Sequence, residues 1–191
     1  MMEIKTQLYL ASKSPRRAKL LKQINLKFKI LNIDLKEDFH DEEHPAKTVK
    51  RLATEKMEVA KLKIKNGIVI TADTIVVLDH KIIGKPKNKS DAERILKSLS
   101  NRTHYVYTGF AIYDFLTNKL IVDYQKTAVV FRKLSYSEIK EYVNMQGSLD
   151  KAGAYGIQDF GAVFIKKVNG CFYNVMGLPL EKVYSYLKSL L

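Results

Sequence analysis

One cysteine, Cys171, occurs in 191 residues, so no intrachain disulfide can form and a reducing compartment is the simpler expectation. No apolar run approaches the roughly 20 residues that a membrane-spanning helix needs. The opening MMEIKTQLYLASKS has neither the long apolar core nor the small-residue cleavage pattern of a signal peptide. A cytoplasmic protein with no membrane partner is therefore expected. No GxxxxGK loop is present, no GxGxxG fingerprint follows a strand, and zinc-finger spacing is absent. The four histidines, His40, His44, His80 and His104, lack metal-ligand spacing and read as surface or turn residues. Repeats, linkers and low-complexity segments are also missing, so residues 1–191 read as a single domain, whole or split into two lobes around a cleft.

Acidic residues are scarce, 20 against 33 basic ones, giving a formal charge of +13. Such a balance invites a nucleic-acid reading. However, only six of the basic residues are arginine, and the lysines spread along the whole chain without a tight block. A lysine-biased solvated surface is the favoured reading, with no stable nucleic-acid partner expected. That surface would still attract a small polyanion. What is plentiful is apolar side chain, 46% of residues. A chain of this length buries about 70% of its unfolded surface and needs neither disulfide nor metal to fold.

The periodicity predicts strands at Leu8 to Ala11, Phe28 to Ile33, Tyr105 to Tyr113, Leu120 to Phe131 and Ala162 to Val168, with IVITADTIVVL (Ile68 to Leu78) as two strand-like halves interrupted by Asp73. Helices are predicted after Ser14-Pro15, over Val49 to Ile64, from Ser90 with Glu93 as a capping box, from Ser135 with Glu138 as another, and from Pro179. Asn169-Gly170 reads as a hairpin turn. Helices interleave with strands while hairpins preclude a purely parallel sheet, so the expected class is α/β with a mixed twisted sheet and flanking helices.

LASKSPRRAKLL, Leu10 to Leu21, sets Arg16 and Arg17 at a helix N-terminus, where the backbone dipole already repels cations. Two readings stand. Ser12, Ser14 and the arginines form a phosphate site from free amides, hydroxyls and guanidinium forks, or the helix is simply capped with two solvated arginines. Asp73 is harder to explain blandly, since an unpaired carboxylate inside an apolar run is costly. It either caps a strand end or faces a cleft as a base or metal ligand, and the cleft is favoured. Thr74 beside it serves that site or suits the strand. Lys85 lies between Gly84 and Pro86, a rigid loop from which a cation can be aimed, and Glu37 lies in an acidic loop from which a carboxylate could join Asp73 on Mg²⁺. Lys56 falls on the polar side of its helix and is solvated unless that side lines the cleft. DKAGAYGIQDFG, Asp150 to Gly161, is a glycine-rich loop whose Gln158 amide could read the edge of a base.

LASKSPRRAKLL, ADTIVV, GKP, LSNRTHYVYTG, DKAGAYGIQ and NVMGLPL, in this order, resemble the Maf family of nucleoside triphosphate pyrophosphatases, long called septum formation inhibitors. The resemblance runs from Leu8 to about Leu180. It implies two lobes around a deep cleft, similar to inosine triphosphate pyrophosphatase. It also implies hydrolysis between the α and β phosphates to a monophosphate and pyrophosphate, with a divalent metal, Mg²⁺ or Mn²⁺. By matching position, Asp73, Lys85 and Glu37 are the expected catalytic residues, Asp73 as proton acceptor and Asp73 with Glu37 at the metal. Ser12, Ser14, Arg16, Arg17, Lys56, Thr74 and Gln158 are the expected substrate-binding residues.

Within that family the paired arginines, ADT and GIQ mark the branch acting on dTTP and UTP. Arg16-Arg17, Ala72-Asp73-Thr74 and Gly156-Ile157-Gln158 all match it, which makes Arg17, Thr74 and Gln158 the specificity candidates. The alternatives are a purine-directed or 7-methyl-GTP pyrophosphatase of the same fold, and a basic regulatory module that binds nucleic acid. Thr71, Asn101 and Asp159 stand where the family usually has glycine; Asn101 tolerates left-handed backbone, whereas Asp159 adds a negative charge near the expected cleft. The family often forms homodimers, and the face Tyr184 to Leu191 of the last helix is either such a surface or packed on its own sheet.

Overall fold

The computed structural model describes residues 6–40, 43–145 and 149–190. In chain order the elements are β1 (Leu8–Leu10), α1 (Pro15–Gln23), β2 (Lys29–Ile30), α2 (Pro45–Lys63), β3 (Ile68–Leu78), β4 (Lys81–Ile83), α3 (Lys89–Leu99), β5 (Thr103–Asp114), β6 (Lys119–Phe131), α4 (Tyr136–Asn144), β7 (Ile165–Asn169), α5 (Phe172–Val175) and α6 (Leu180–Lys188). The strands form a seven-stranded mixed sheet in the order β2-β1-β3-β5-β6-β7, with β4 added to β3. β1 runs parallel to both β2 and β3, while the β3–β4 and β6–β7 pairs are antiparallel. With its flanking helices this is the expected α/β class.

Several local expectations change. β3 is one unbroken strand, because Asp73 stays in the ladder rather than ending it. Asp79 and His80, both with positive φ, turn β3 directly into β4, a hairpin that its polar sequence concealed. The strand predicted at Phe28 to Ile33 shrinks to Lys29–Ile30, both residues exposed at the sheet edge. Helix α3 begins two residues earlier than predicted: Asn88 is its cap, accepting from the Asp91 N–H, in place of the Ser90–Glu93 box. The Ser135–Glu138 box does form. Residues 160–164 make a 3-10 turn before β7, and Gly170 (φ 124°) leads into α5 instead of a hairpin. The final residue of the Tyr184 to Leu191 face lies outside the described residues.

The chain divides into two compact units, residues 1–73, 108–125 and 177–191, and residues 74–107 and 126–176. In the first, α2 lays Ala53, Met57 and Ala60 on Val69 and Ala111. Gly109 on β5 permits this approach, since a Cβ there would sit 2.2 Å from the Val49 carbonyl oxygen. In the second, Ile95, Leu96 and Leu99 of α3 pack with Val129, Phe131 and Phe164.

His104, expected at the surface, is fully buried on β5. Its Nε2 meets the Tyr155 hydroxyl at 2.7 Å, and its ring packs edge-on against Phe131 and Tyr155. Strand alternation puts it on the inward face, a signal hidden by its polar neighbours. Burial lowers its pKa to about 4, so it is neutral at pH 7.

Two tests follow from this packing. Gly109→Ala should lower stability by about 1–3 kcal/mol, read from thermal or urea midpoints, because helix backbone occupies the added methyl's place. A neutral outcome would mean that α2 is not seated there. Because the unfolded state takes up the His104 proton first, this residue's contribution should be complete above pH 6.5 and lost as pH falls toward 4. Comparing urea midpoints of the wild type and His104→Gln across that range should show a flatter acid limb in the variant, by up to about 3 kcal/mol.

Candidate functional site

At the end of β1, the Ala11 N–H donates to the Ile70 carbonyl at 2.8 Å, and the chain then leaves the sheet. Pro15 opens α1 with Ser14 at the cap position, but the Ser14 side chain makes no capping hydrogen bond. The Ser12 hydroxyl serves the turn instead. It accepts from the Ser14 N–H at 3.2 Å and from Arg17 Nη1 at 3.1 Å. Arg17 also donates from Nε to the Gly177 carbonyl at 2.8 Å, so it is drawn back against the protein rather than extended into water. Burial lowers the Arg17 pKa and Arg16 adds to that, while Asp73 and Glu37 oppose them. Arg16 is half-buried on the first turn of α1.

Asp73 sits mid-strand on β3 and is 4% exposed. Its partner comes from α2 through a short chain of geometry. Thr71 and Asp73 share one face of β3, two residues apart. The buried Thr71 hydroxyl donates to the Ala53 carbonyl of α2 at 2.7 Å. Lys56, one helical turn beyond Ala53, is thereby brought over the same face. Its ammonium bonds Asp73 Oδ1, and it reaches Glu37 Oε1 at 2.8 Å. The Lys56 side chain is only 12% exposed, so it is not the solvated lysine of the bland reading. Glu37 is likewise engaged rather than simply solvated. Desolvation raises the Asp73 pKa; Lys56 opposes this, Glu37 adds to it, and Arg17 opposes it again.

Ser12, Arg17, Glu37, Lys56 and Asp73 thus meet in the first unit, with Ser14 and Arg16 at the adjoining helix start. Among the described residues no group of three or more His, Cys, Asp or Glu side chains gathers around a point. Arg51, which sequence reasoning passed over, holds the loop that carries Glu37. It bonds Glu43, Glu55 and the Asp38 carbonyl. The signal was an arginine in α2 within reach of the acidic stretch before the helix.

The remaining candidates belong to the second unit. Thr74 follows Asp73 along β3, with its side chain on the opposite face by strand alternation. Lys85 is exposed after β4, beside the buried Pro86. The Gly84 carbonyl accepts from the Gly153 N–H at 3.2 Å, which ties this loop to the glycine-rich segment. Gln158 is exposed on that segment. Tyr142 OH accepts from the Gly156 N–H at 3.3 Å just before it, and Asp159 caps the next turn through the Gly161 N–H at 3.2 Å. Asp159 also pairs with Lys151 at 3.2 Å, so the charge it adds is partly balanced locally. Asn101, at φ 57°, adopts the left-handed backbone expected for it.

A family model described as Maf-like protein matches residues 7–190. A protein of Alkaliphilus metalliredigens named dTTP/UTP pyrophosphatase is 46% identical over 93% of this chain and 92% of its own. Similar proteins with the same name come from Caldanaerobacter subterraneus, 45% identical over 95% of this chain and 88% of its own, and Syntrophomonas wolfei, 42% identical over 93% and 94%. No helix among the described residues is long and apolar enough to cross a membrane. With the match running through both the α1 turn and the Asp73 strand, the chain belongs to the Maf-like protein family.

Proposed function

We propose that residues 1–191 act as one catalytic domain, a cytoplasmic nucleoside triphosphate pyrophosphatase that converts dTTP and UTP to the monophosphate and pyrophosphate. The observation that carries this reading is the buried carboxylate Asp73 held with Glu37 on the Lys56 ammonium beside Arg17, in a chain whose relatives bear that activity in their names.

Glu37 Oε1 and Asp73 Oδ1 converge on one ammonium, so two hard oxygen donors face a common point. That donor set fits Mg²⁺ or Mn²⁺, with nucleotide phosphates and water completing the shell. When bound, such an ion offsets phosphate charge. Asp73 accepts a proton from the attacking water as the new P–O bond forms and the bond to the departing pyrophosphate breaks. Desolvation makes this carboxylate a stronger base than an exposed aspartate, while Lys56 and Arg17 stabilise its charged form. Arg16, Arg17, Lys56 and Lys85, with the Ser12 and Ser14 hydroxyls, neutralise and orient the triphosphate. Thr74 and Gln158 select the pyrimidine, Gln158 by pairing its amide with the base edge.

Pyrophosphate release should be measured across ordinary and modified nucleotides with Mg²⁺ and Mn²⁺. Release fastest from dTTP and UTP is expected. Release confined to purines or 7-methyl-GTP, or salt-dependent DNA binding with no release at all, would replace this reading. Asp73→Asn should cut turnover by about 10²- to 10⁴-fold, the usual share of a positioned base. Its raised native pKa means that ionised Asp73 costs stability, a cost that builds as pH rises from the ordinary value of 3.8 and is complete above the native pKa. The variant's thermal midpoint at pH 7 should therefore equal or exceed that of the wild type, and near-normal turnover would refute the role.

A further inference from the structure

Glu37 sits in an irregular loop between β2 and α2, where no ladder or helix holds its backbone. A carboxylate on such a segment keeps a fixed direction only if the chain around it is tied. Arg51, in the second turn of α2, ties it. Nε and Nη2 bond the Glu43 carboxylate at 3.2 and 2.8 Å, Nη1 bonds Glu55 Oε1 at 2.9 Å, and Nη2 donates to the Asp38 carbonyl at 3.0 Å. The last bond holds the carbonyl of Asp38, the residue next to Glu37. Glu43, at the other end of the acidic stretch, has a side chain only 7% exposed, so its charge depends on this fork. One planar guanidinium therefore fixes two points of the loop to the helix that carries Lys56. None of these bonds reaches Lys56 or Asp73.

We propose that Arg51 is a positioning residue that aims Glu37 at the cation point shared with Asp73. The proposal rests on the functional reading above and adds a residue outside the sites it names. Structural support alone would affect only folding, whereas positioning also sets how well a divalent ion is held. Metal sites commonly depend on such outer partners, whose loss weakens binding about 10- to 100-fold.

The test measures Mn²⁺ binding by electron paramagnetic resonance in the presence of α,β-imido-dTTP, with turnover and thermal midpoints alongside. Arg51→Met should weaken Mn²⁺ binding about 10- to 100-fold and lower kcat more than it raises the nucleotide KM. Arg51→Lys keeps the charge without the fork and should recover only part of that loss. Since Arg51→Met strands the Glu43 charge, the double variant Glu43→Gln/Arg51→Met should regain most of the thermal midpoint while Mn²⁺ binding stays weak. Wild-type Mn²⁺ affinity in either Arg51→Met protein overturns the proposal, as does wild-type turnover without Mn²⁺ binding. A wild-type protein that binds Mn²⁺ but cleaves no nucleotide contradicts the functional reading instead, leaving the Arg51 comparison to be judged on binding alone.

Discussion

A carboxylate in the middle of an apolar strand is the constraint from which the first unit is built. At 4% exposure an ionised Asp73 is costly unless a cation lies close by. Lys56 supplies it, and Lys56 can do so only because α2 lies close over β3. That approach has two visible causes, a hydroxyl at Thr71 bonding the Ala53 carbonyl and the missing side chain at Gly109. Packing and electrostatics are therefore one problem here. The helix that buries Met57 and Ala60 in the core also delivers the charge that opposes the desolvation of Asp73.

Around that pair the charges are graded rather than simply matched. Glu37 shares the ammonium with Asp73 and pushes its pKa further up, whereas Arg17 pulls it down from the side of α1. Two carboxylates and two cations, Lys56 and Arg17, therefore act on one another within the first unit. Arg16 and Arg17 repel each other at the start of α1, and Asp73 and Glu37 offset this at Arg17. The loops of the second unit are organised differently, by hydrogen bonds from glycine amides to Tyr142, Asp159 and Gly84. Such contacts order a segment without filling it, which leaves Gln158 exposed on a defined backbone.

Turn and cap chemistry was readable wherever one side chain satisfies its own neighbourhood. The Ser135–Glu138 box and the left-handed Asn101 need only local backbone, and both are present. Signals failed where two local solutions compete or where the partner is remote. Asn88 displaced Ser90 as a cap, and the Asp79-His80 turn was obscured by its flanks. His104 read as a surface or turn residue because nothing nearby in sequence announces Tyr155 and Phe131.

The sequence by itself determined the mixed α/β class, the order of the helices and most strands, and the residue types available for phosphate and metal chemistry, because periodicity, caps and motif order are local properties of the chain. Tertiary structure alone decided that β3 passes unbroken through Asp73, that Lys56 is spent on two carboxylates instead of solvent, and that Arg51 grips the Glu37 loop. Each of those outcomes depends on charges that lie far apart along the chain and become neighbours only when α2 settles on the sheet.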